Sequence, residues 1–297
     1  MSILSLDTVS LAFDRRPVIR GVSFDLAAGE RVALLGHNGA GKTTLFKMIL
    51  GFLRPDSGSI AVLDAAPGSA AARGASAYLP EAVAFQKTLS GEEVLRFYAR
   101  LKGEDPAKAV ALLERVGLAE AGKRRVGTYS KGMRQRLGLA QALIGRPRLV
   151  LLDEPTSGLD PISRQNFYEL VEEVAGLGAT VLLSSHALTE VEARTDRILI
   201  LSRGRLVADD TLSKLRGAAG LPIRLRVQAS DPAAVAAKLG GARVNGQGVE
   251  LVCAPDDKLA RLAAITALGP LVTDIDVALP SLDDVYRHFS GEAAKEH

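Results

Sequence analysis

Apolar positions along this chain follow two periods. In residues 1–36, short runs of Val, Ile, Leu and Phe are broken by Asp14, Pro17, Gly21 and Gly29, which predicts strands joined by a turn. The run Arg31, Val32, Ala33, Leu34, Leu35 is apolar without alternation and stops at Gly36, as a strand buried on both faces does. A helix is predicted over residues 42–50, closed by Gly51. Ser90 and Glu93 have capping-box spacing. Behind them Val94, Phe97, Tyr98 and Leu101 share one helical face, which predicts core packing. Asp105 and Pro106 open the next helix and Gly117 ends it. Helices are further predicted over 130–145, with Leu137, Ala140 and Ile144 on one side, and over 163–176 and 187–194. Apolar strands at 148–152, 180–184, 197–201 and 205–208 alternate with them. That alternation predicts a largely parallel sheet covered by helices.

The pattern changes near Gly217 to Gly220. Beyond it Ile223, Leu225 and Val227 alternate as a strand, and Asp231 and Pro232 open a helix that stops at Gly240 and Gly241. Two strands around a Gly-containing turn, a helix over 257–268 and a strand over 271–279 follow. Residues 221–279 thus read β-α-β-β-α-β, the ferredoxin-like order. A last helix, 281–289, carries Asp283 and Asp284 in its first turn. The expected division is a first domain over 1–216, with a helical subdomain at about 82–145, and a small α+β domain over 221–290.

Composition narrows the class. The chain has 297 residues, 47% apolar and 24% charged, which is ordinary globular usage. With 37 basic against 34 acidic residues, charge does not announce a nucleic-acid binder, and no nucleic-acid partner is expected. Cys253 is the single cysteine, so a disulfide within the chain is excluded and a reducing compartment fits. His37, His186, His288 and His297 are scattered and make no Cys/His zinc constellation. Asp7 and Asp14 interrupt any signal-peptide core. No apolar run nears the ~20 residues of a membrane helix, so action at a membrane is expected to go through a partner.

Three segments carry chemistry. Gly36, His37, Asn38, Gly39, Ala40, Gly41, Lys42, Thr43 fit the P-loop spacing G-x-x-x-x-G-K-[ST], with Thr44 next. Its glycines let successive N–H groups turn inward, and the helix behind it adds a positive dipole end. Lys42 places a point charge between β- and γ-phosphates, and the Thr43 hydroxyl reaches Mg²⁺; the His37 side chain itself is assigned no chemistry. The apolar strand before Asp153 and Glu154 brings two acids to the sheet's carboxyl edge. Asp153 is expected to hold Mg²⁺ through water and Glu154 to polarise the attacking water as general base. Tyr129 to Arg136 starts the helix predicted over 130–145 on a Ser–Gly turn, where Ser130 and neighbouring N–H groups can bind another phosphate. One γ-phosphate does not need two such helix starts, so a second copy of the chain can use the spare one.

With the P-loop, the 130–136 segment, Asp153 and Glu154, the stretch Ser157, Gly158, Leu159, Asp160, and His186 in this order, residues 1–216 resemble the nucleotide-binding subunit of an ABC transporter. The resemblance implies an α/β fold, a P-loop ABC ATPase with a mixed sheet core and a helical subdomain, and ATP with Mg²⁺ as cofactors. It implies a head-to-tail homodimer with ATP between one chain's P-loop and the other's signature helix. Carried over, Phe13 would stack on adenine, although a core aromatic is the alternative. Ser130 and Gly132 would contact the γ-phosphate across the interface, His186 would bond the γ-phosphate and the water, and Asp160 would link the two sites. Glu81 stands where the family usually has Gln and would approach Mg²⁺ or the water without an amide's donor. Lys131 and Met133 replace a Gly and a Gln.

The segments Tyr78 to Phe85, 89–103, 129–147 and Ala219 to Arg224 are similar to the ATPase of the transporter dedicated to nitrous oxide reductase maturation, a copper-processing system. That resemblance implies two membrane permease subunits, a periplasmic accessory protein and a peripheral place on the cytoplasmic face of the inner membrane. With three Met, one Cys and four dispersed His, no copper site is expected on this chain. The apolar stretch Ala82 to Phe85 is a docking surface or core, and residues 221–290 hold the dimer together or dock a partner. The alternative reading is the ATPase of a drug or lipid exporter. A soluble nucleic-acid or ribosome-associated ABC protein is disfavoured by the single cassette and the lack of sustained heptads between Gly36 and Ser130.

Overall fold

The computed structural model describes residues 2–185, 188–192, 194–244 and 248–291. Two compact units divide the chain between Asp209 and Asp210.

The first unit opens with β1 (Ser2–Phe13), β2 (Arg16–Ala27), β3 (Arg31–Leu35), α1 (Lys42–Ile49), β4 (Ser57–Val62), α2 (Ala70–Ala75) and β5 (Ser76–Leu79). A helical layer follows: α3 (Gly91–Lys102), α4 (Pro106–Arg115) and α5 (Lys131–Ala142). The unit ends with β6 (Leu149–Asp153), α6 (Pro161–Gly176), β7 (Thr180–Ser185), α7 (Leu188–Val191), β8 (Arg197–Ser202) and β9 (Arg205–Asp210). Strands form two sheets where the alternating pattern suggested one: β2-β1-β4, antiparallel, and β5-β6-β7-β3-β8-β9. In the second, β5 to β8 pair parallel in that order. The β8–β9 hairpin turns on Arg203 and Gly204, both at positive φ (49° and 79°), the geometry that matches strand twist. Ile3, Leu4, Leu26, Leu34, Phe46 and Leu182 belong to one buried core that joins the two sheets and α1.

The capping box at Ser90 forms, with Ser90 N donating to Glu93 Oε2 at 2.7 Å and Glu93 N to Ser90 Oγ at 3.2 Å. The buried face of α3 differs from the expectation. Phe97 and Leu101 are 52% and 67% exposed, while Val94, Leu95 and Ala99 are buried. Leu95 and Ala99, with Val94, meet Leu113 of α4 and Leu137 of α5 in a core of their own. This rotates the helix so that Phe97 and Leu101 leave the interior. Ile144 and Ala140 are buried there as expected. In the stretch 82–85, Ala82 and Ala84 are exposed, whereas Phe85 packs edge-on to Tyr98 with ring centroids 6.3 Å apart.

The second unit contains α8 (Leu212–Ala219), β10 (Ile223–Ala229), α9 (Pro232–Leu239), β11 (Ala242–Val244), β12 (Gly248–Cys253), α10 (Lys258–Thr266), β13 (Val272–Ala278) and α11 (Leu282–Ser290). Its antiparallel sheet runs β11-β12-β10-β13, a small ferredoxin-like α+β domain. Ile223, Leu225 and Val227 point to a core shared with Val235 and Ile265. The helix α8, whose residues 212–216 fall within the expected first domain, lies in this unit: the Arg216 guanidinium donates to the Pro280 carbonyl at 2.6 Å just ahead of α11.

Candidate nucleotide site

The strand β3 is buried along 32–35 and delivers the chain to the loop 36–41. Two glycines there are dictated by space. A Cβ on Gly36 would stand 2.7 Å from the Leu201 carbonyl, and one on Gly41 would stand 2.6 Å from Ile19 Cδ1 at a φ of 110°. The loop therefore takes a path no side chain permits, and α1 starts immediately behind it. Lys42 is 6% exposed. Its Nζ donates to the Gly36 carbonyl at 2.6 Å and faces Glu154 Oε1 at 3.1 Å.

Both acids sit at the end of β6. In the sheet, β7 lies between β6 and β3, so the carboxyl ends of three parallel strands bring Thr43, Asp153 and Ser184 together. Asp153 is 3% exposed. Its Oδ2 accepts from Thr43 Oγ1 at 2.8 Å and from the Tyr78 phenol at 3.4 Å, and its Oδ1 accepts from Ser184 Oγ at 2.7 Å. Burial, and then the Asp153 charge, raise the Tyr78 phenol well above its ordinary value, so it stays a donor. Glu154 holds a left-handed φ of 48°, a conformation that costs a non-glycine residue about 1–3 kcal/mol. Its N–H donates to Ser184 Oγ at 3.0 Å.

Phe13, His37, Asn38, Gly39, Gly41, Lys42, Thr43, Thr44, Glu81 and Glu154 line one cleft of about 420 Å³. Phe13 is 46% exposed at the end of β1, so it is not the core aromatic of the alternative reading. Ala40 is buried beneath the loop, its N–H on the His37 carbonyl at 3.0 Å. The His37 Nδ1 bonds the Asn38 carbonyl at 2.7 Å. Glu81 accepts from Ser157 Oγ at 3.3 Å. An all-oxygen set of hydroxyl and carboxylate around Thr43 and Asp153 fits Mg²⁺, which takes one or two carboxylates and completes its shell with water and phosphate.

Ser130 and Gly132 are not among the residues lining this cleft. Ser130 caps α5, accepting from Met133 N at 3.1 Å. A Cβ on Gly132 would stand 3.3 Å from Ser163 Oγ, so α5 begins against the first turn of α6. Asp160 caps α6 from Ser163 N at 3.0 Å, and the Ser163 hydrogen bonds hold its carboxyl below the usual range. His186 lies outside the described residues. Sequence reasoning missed Tyr78 and Ser184 as partners of Asp153. The one signal for Ser184 was the change from Leu182 and Leu183 to two serines at the carboxyl end of the strand.

The ABC transporter family profile matches residues 19–157. The linearmycin resistance ATP-binding protein of Bacillus subtilis is 32% identical over 99% of this chain and 100% of its own length. The daunorubicin resistance ATP-binding protein of Streptomyces coeruleorubidus is 34% identical over 97% and 96%. A solved ATP-binding subunit of an ABC transporter superposes with a TM-score of 0.69 at 33% identity, covering 74% of this chain and 94% of that one. No described helix is long and apolar enough to cross a membrane. The glycine-shaped loop and buried Lys42 meet Asp153 and Glu154 on the fold of such ATPases, and the chain belongs to the ABC transporter family as an ATP-hydrolysing subunit.

Proposed function

We propose that this chain is the ATPase of a drug or lipid exporter, and that it works as a homodimer on the cytoplasmic face of the membrane beneath two permease subunits. The cargo class rests on the two relatives named for linearmycin and daunorubicin resistance. The nitrous oxide reductase reading, with its periplasmic accessory protein, has no counterpart among the relatives described above.

The observation that carries the dimer is the separation of phosphate-binding groups within one chain. Phe13, the loop and Glu154 surround the cleft, and Ser130 and Gly132 do not line it. A second copy placed head to tail would supply them. In this reading the triphosphate displaces Glu154 as the counter-charge of Lys42. Glu154, freed from its 3.1 Å ion pair, then takes the proton of the attacking water, and the strained backbone at φ 48° fixes where its carboxylate points. Thr43, Asp153 and Glu81 would hold Mg²⁺, which supplies neutralisation of phosphate charge. His186 and the partner copy's Ser130 N–H and hydroxyl would meet the γ-phosphate, so the binding energy closes the dimer and hydrolysis releases it.

The experiment is ATP-driven uptake of an anthracycline into inverted vesicles that carry the chain and its membrane subunits. The exporter reading expects uptake that Lys42→Ala abolishes. No uptake of anthracycline or lipid, with a copper-poor nitrous oxide reductase in a host lacking the gene, would replace it with the copper reading.

A further inference from the structure

Tyr78 belongs to two places at once. In the register of β5 and β6 it stands opposite Leu151, two residues before Asp153. Its phenol lies 3.4 Å from Asp153 Oδ2, the oxygen that Thr43 also bonds at 2.8 Å. Its ring meets Phe46 of α1 edge-on, with centroids 6.4 Å apart and planes at 89°. The same residue walls a second cavity of about 260 Å³ together with Phe52, Ser76, Lys102 and Gln141. Ser76, Ala77 and Tyr78 of β5 all reach that wall.

A carboxylate with donors on both oxygens is fixed in rotation, and outer donors of this kind orient a metal's ligands. Ser184 holds Oδ1, but on Oδ2 the Thr43 hydroxyl is shared with the cation it is expected to meet. We infer that Tyr78 is a positioning residue for Asp153, and that displacement of its ring from the second cavity is felt at the metal side of the nucleotide site. The inference rests on the reading of Asp153 as an Mg²⁺-side residue.

Tyr78→Phe keeps the ring, its contact with Phe46 and the cavity wall, and deletes the donor. The test is titration of Mn²⁺ followed by electron paramagnetic resonance, on the full chain carrying Glu154→Gln and loaded with less ATP than protein. Tyr78→Phe is expected to weaken Mn²⁺ binding roughly tenfold, with ATP affinity in EDTA unchanged. In a Cys253→Ser background, Ser76→Cys labelled with a propyl methanethiosulfonate fills the cavity. The label is expected to shift Mn²⁺ affinity when Tyr78 is present and to leave it unmoved in Tyr78→Phe. An unchanged affinity in Tyr78→Phe, or an equal shift by the label in both backgrounds, overturns the inference alone. Loss of Mn²⁺ binding in the parent chain overturns the nucleotide reading with it.

Discussion

Glu154 is held by opposed demands. Its carboxylate neutralises a buried lysine at 3.1 Å, its N–H is tied to Ser184, and its φ of 48° is one an L residue adopts at a cost. Removing the charge while keeping the shape separates binding from chemistry. Glu154→Gln is expected to retain ATP affinity and to lower turnover about 100-fold or more, the span that general-base catalysis covers; phosphate release checks the second and calorimetry the first. Turnover of Glu154→Gln equal to that of the unsubstituted chain would remove Glu154 from the base role. At this scale the site was partly legible. Glycine spacing around Lys42 encodes a backbone path directly, because Gly36 and Gly41 have no room for a Cβ. Tyr78 and Ser184 were not legible as partners of Asp153. They reach it only through the strand order β5-β6-β7, and local patterning does not set strand order.

At the scale of elements, periodicity located α3 and misjudged which stripe of it is buried. An amphipathic helix with apolar residues at both Val94–Tyr98 and Leu95–Ala99 spacings can face inward on either, and the partners on α4 and α5 decide. Leu95→Ala, at a fully buried site, is expected to cost about 2–5 kcal/mol, and Leu101→Ala, at a largely exposed one, within about 0.5 kcal/mol. Urea denaturation of the two variants measures both; equal losses would mean the exposed stripe packs after all. The segments β4, α2 and β5 were not read from the sequence. They are four to six residues long, and the alanine- and glycine-rich α2 has no apolar period to display. The separate antiparallel sheet escaped for another reason. The strands β1 and β2 alternate where β3, β6 and β7 are buried almost throughout, but alternation marks a half-exposed strand without naming its partner.

At the scale of the whole molecule, the account depends on two copies sharing each nucleotide. Ser130 makes that testable without harming the fold, because its visible duty is to cap α5 through Met133 N. Aspartate caps helices as well as serine does, yet it places a negative charge where the other chain's γ-phosphate is expected. The most direct measurement is sedimentation of Glu154→Gln with ATP, alone and combined with Ser130→Asp. The account predicts an ATP-dependent dimer for the single variant, and for the double variant a monomer that still binds ATP. A Glu154→Gln chain that holds ATP yet sediments as a monomer, or a double variant that dimerises as readily as the single one, would contradict it.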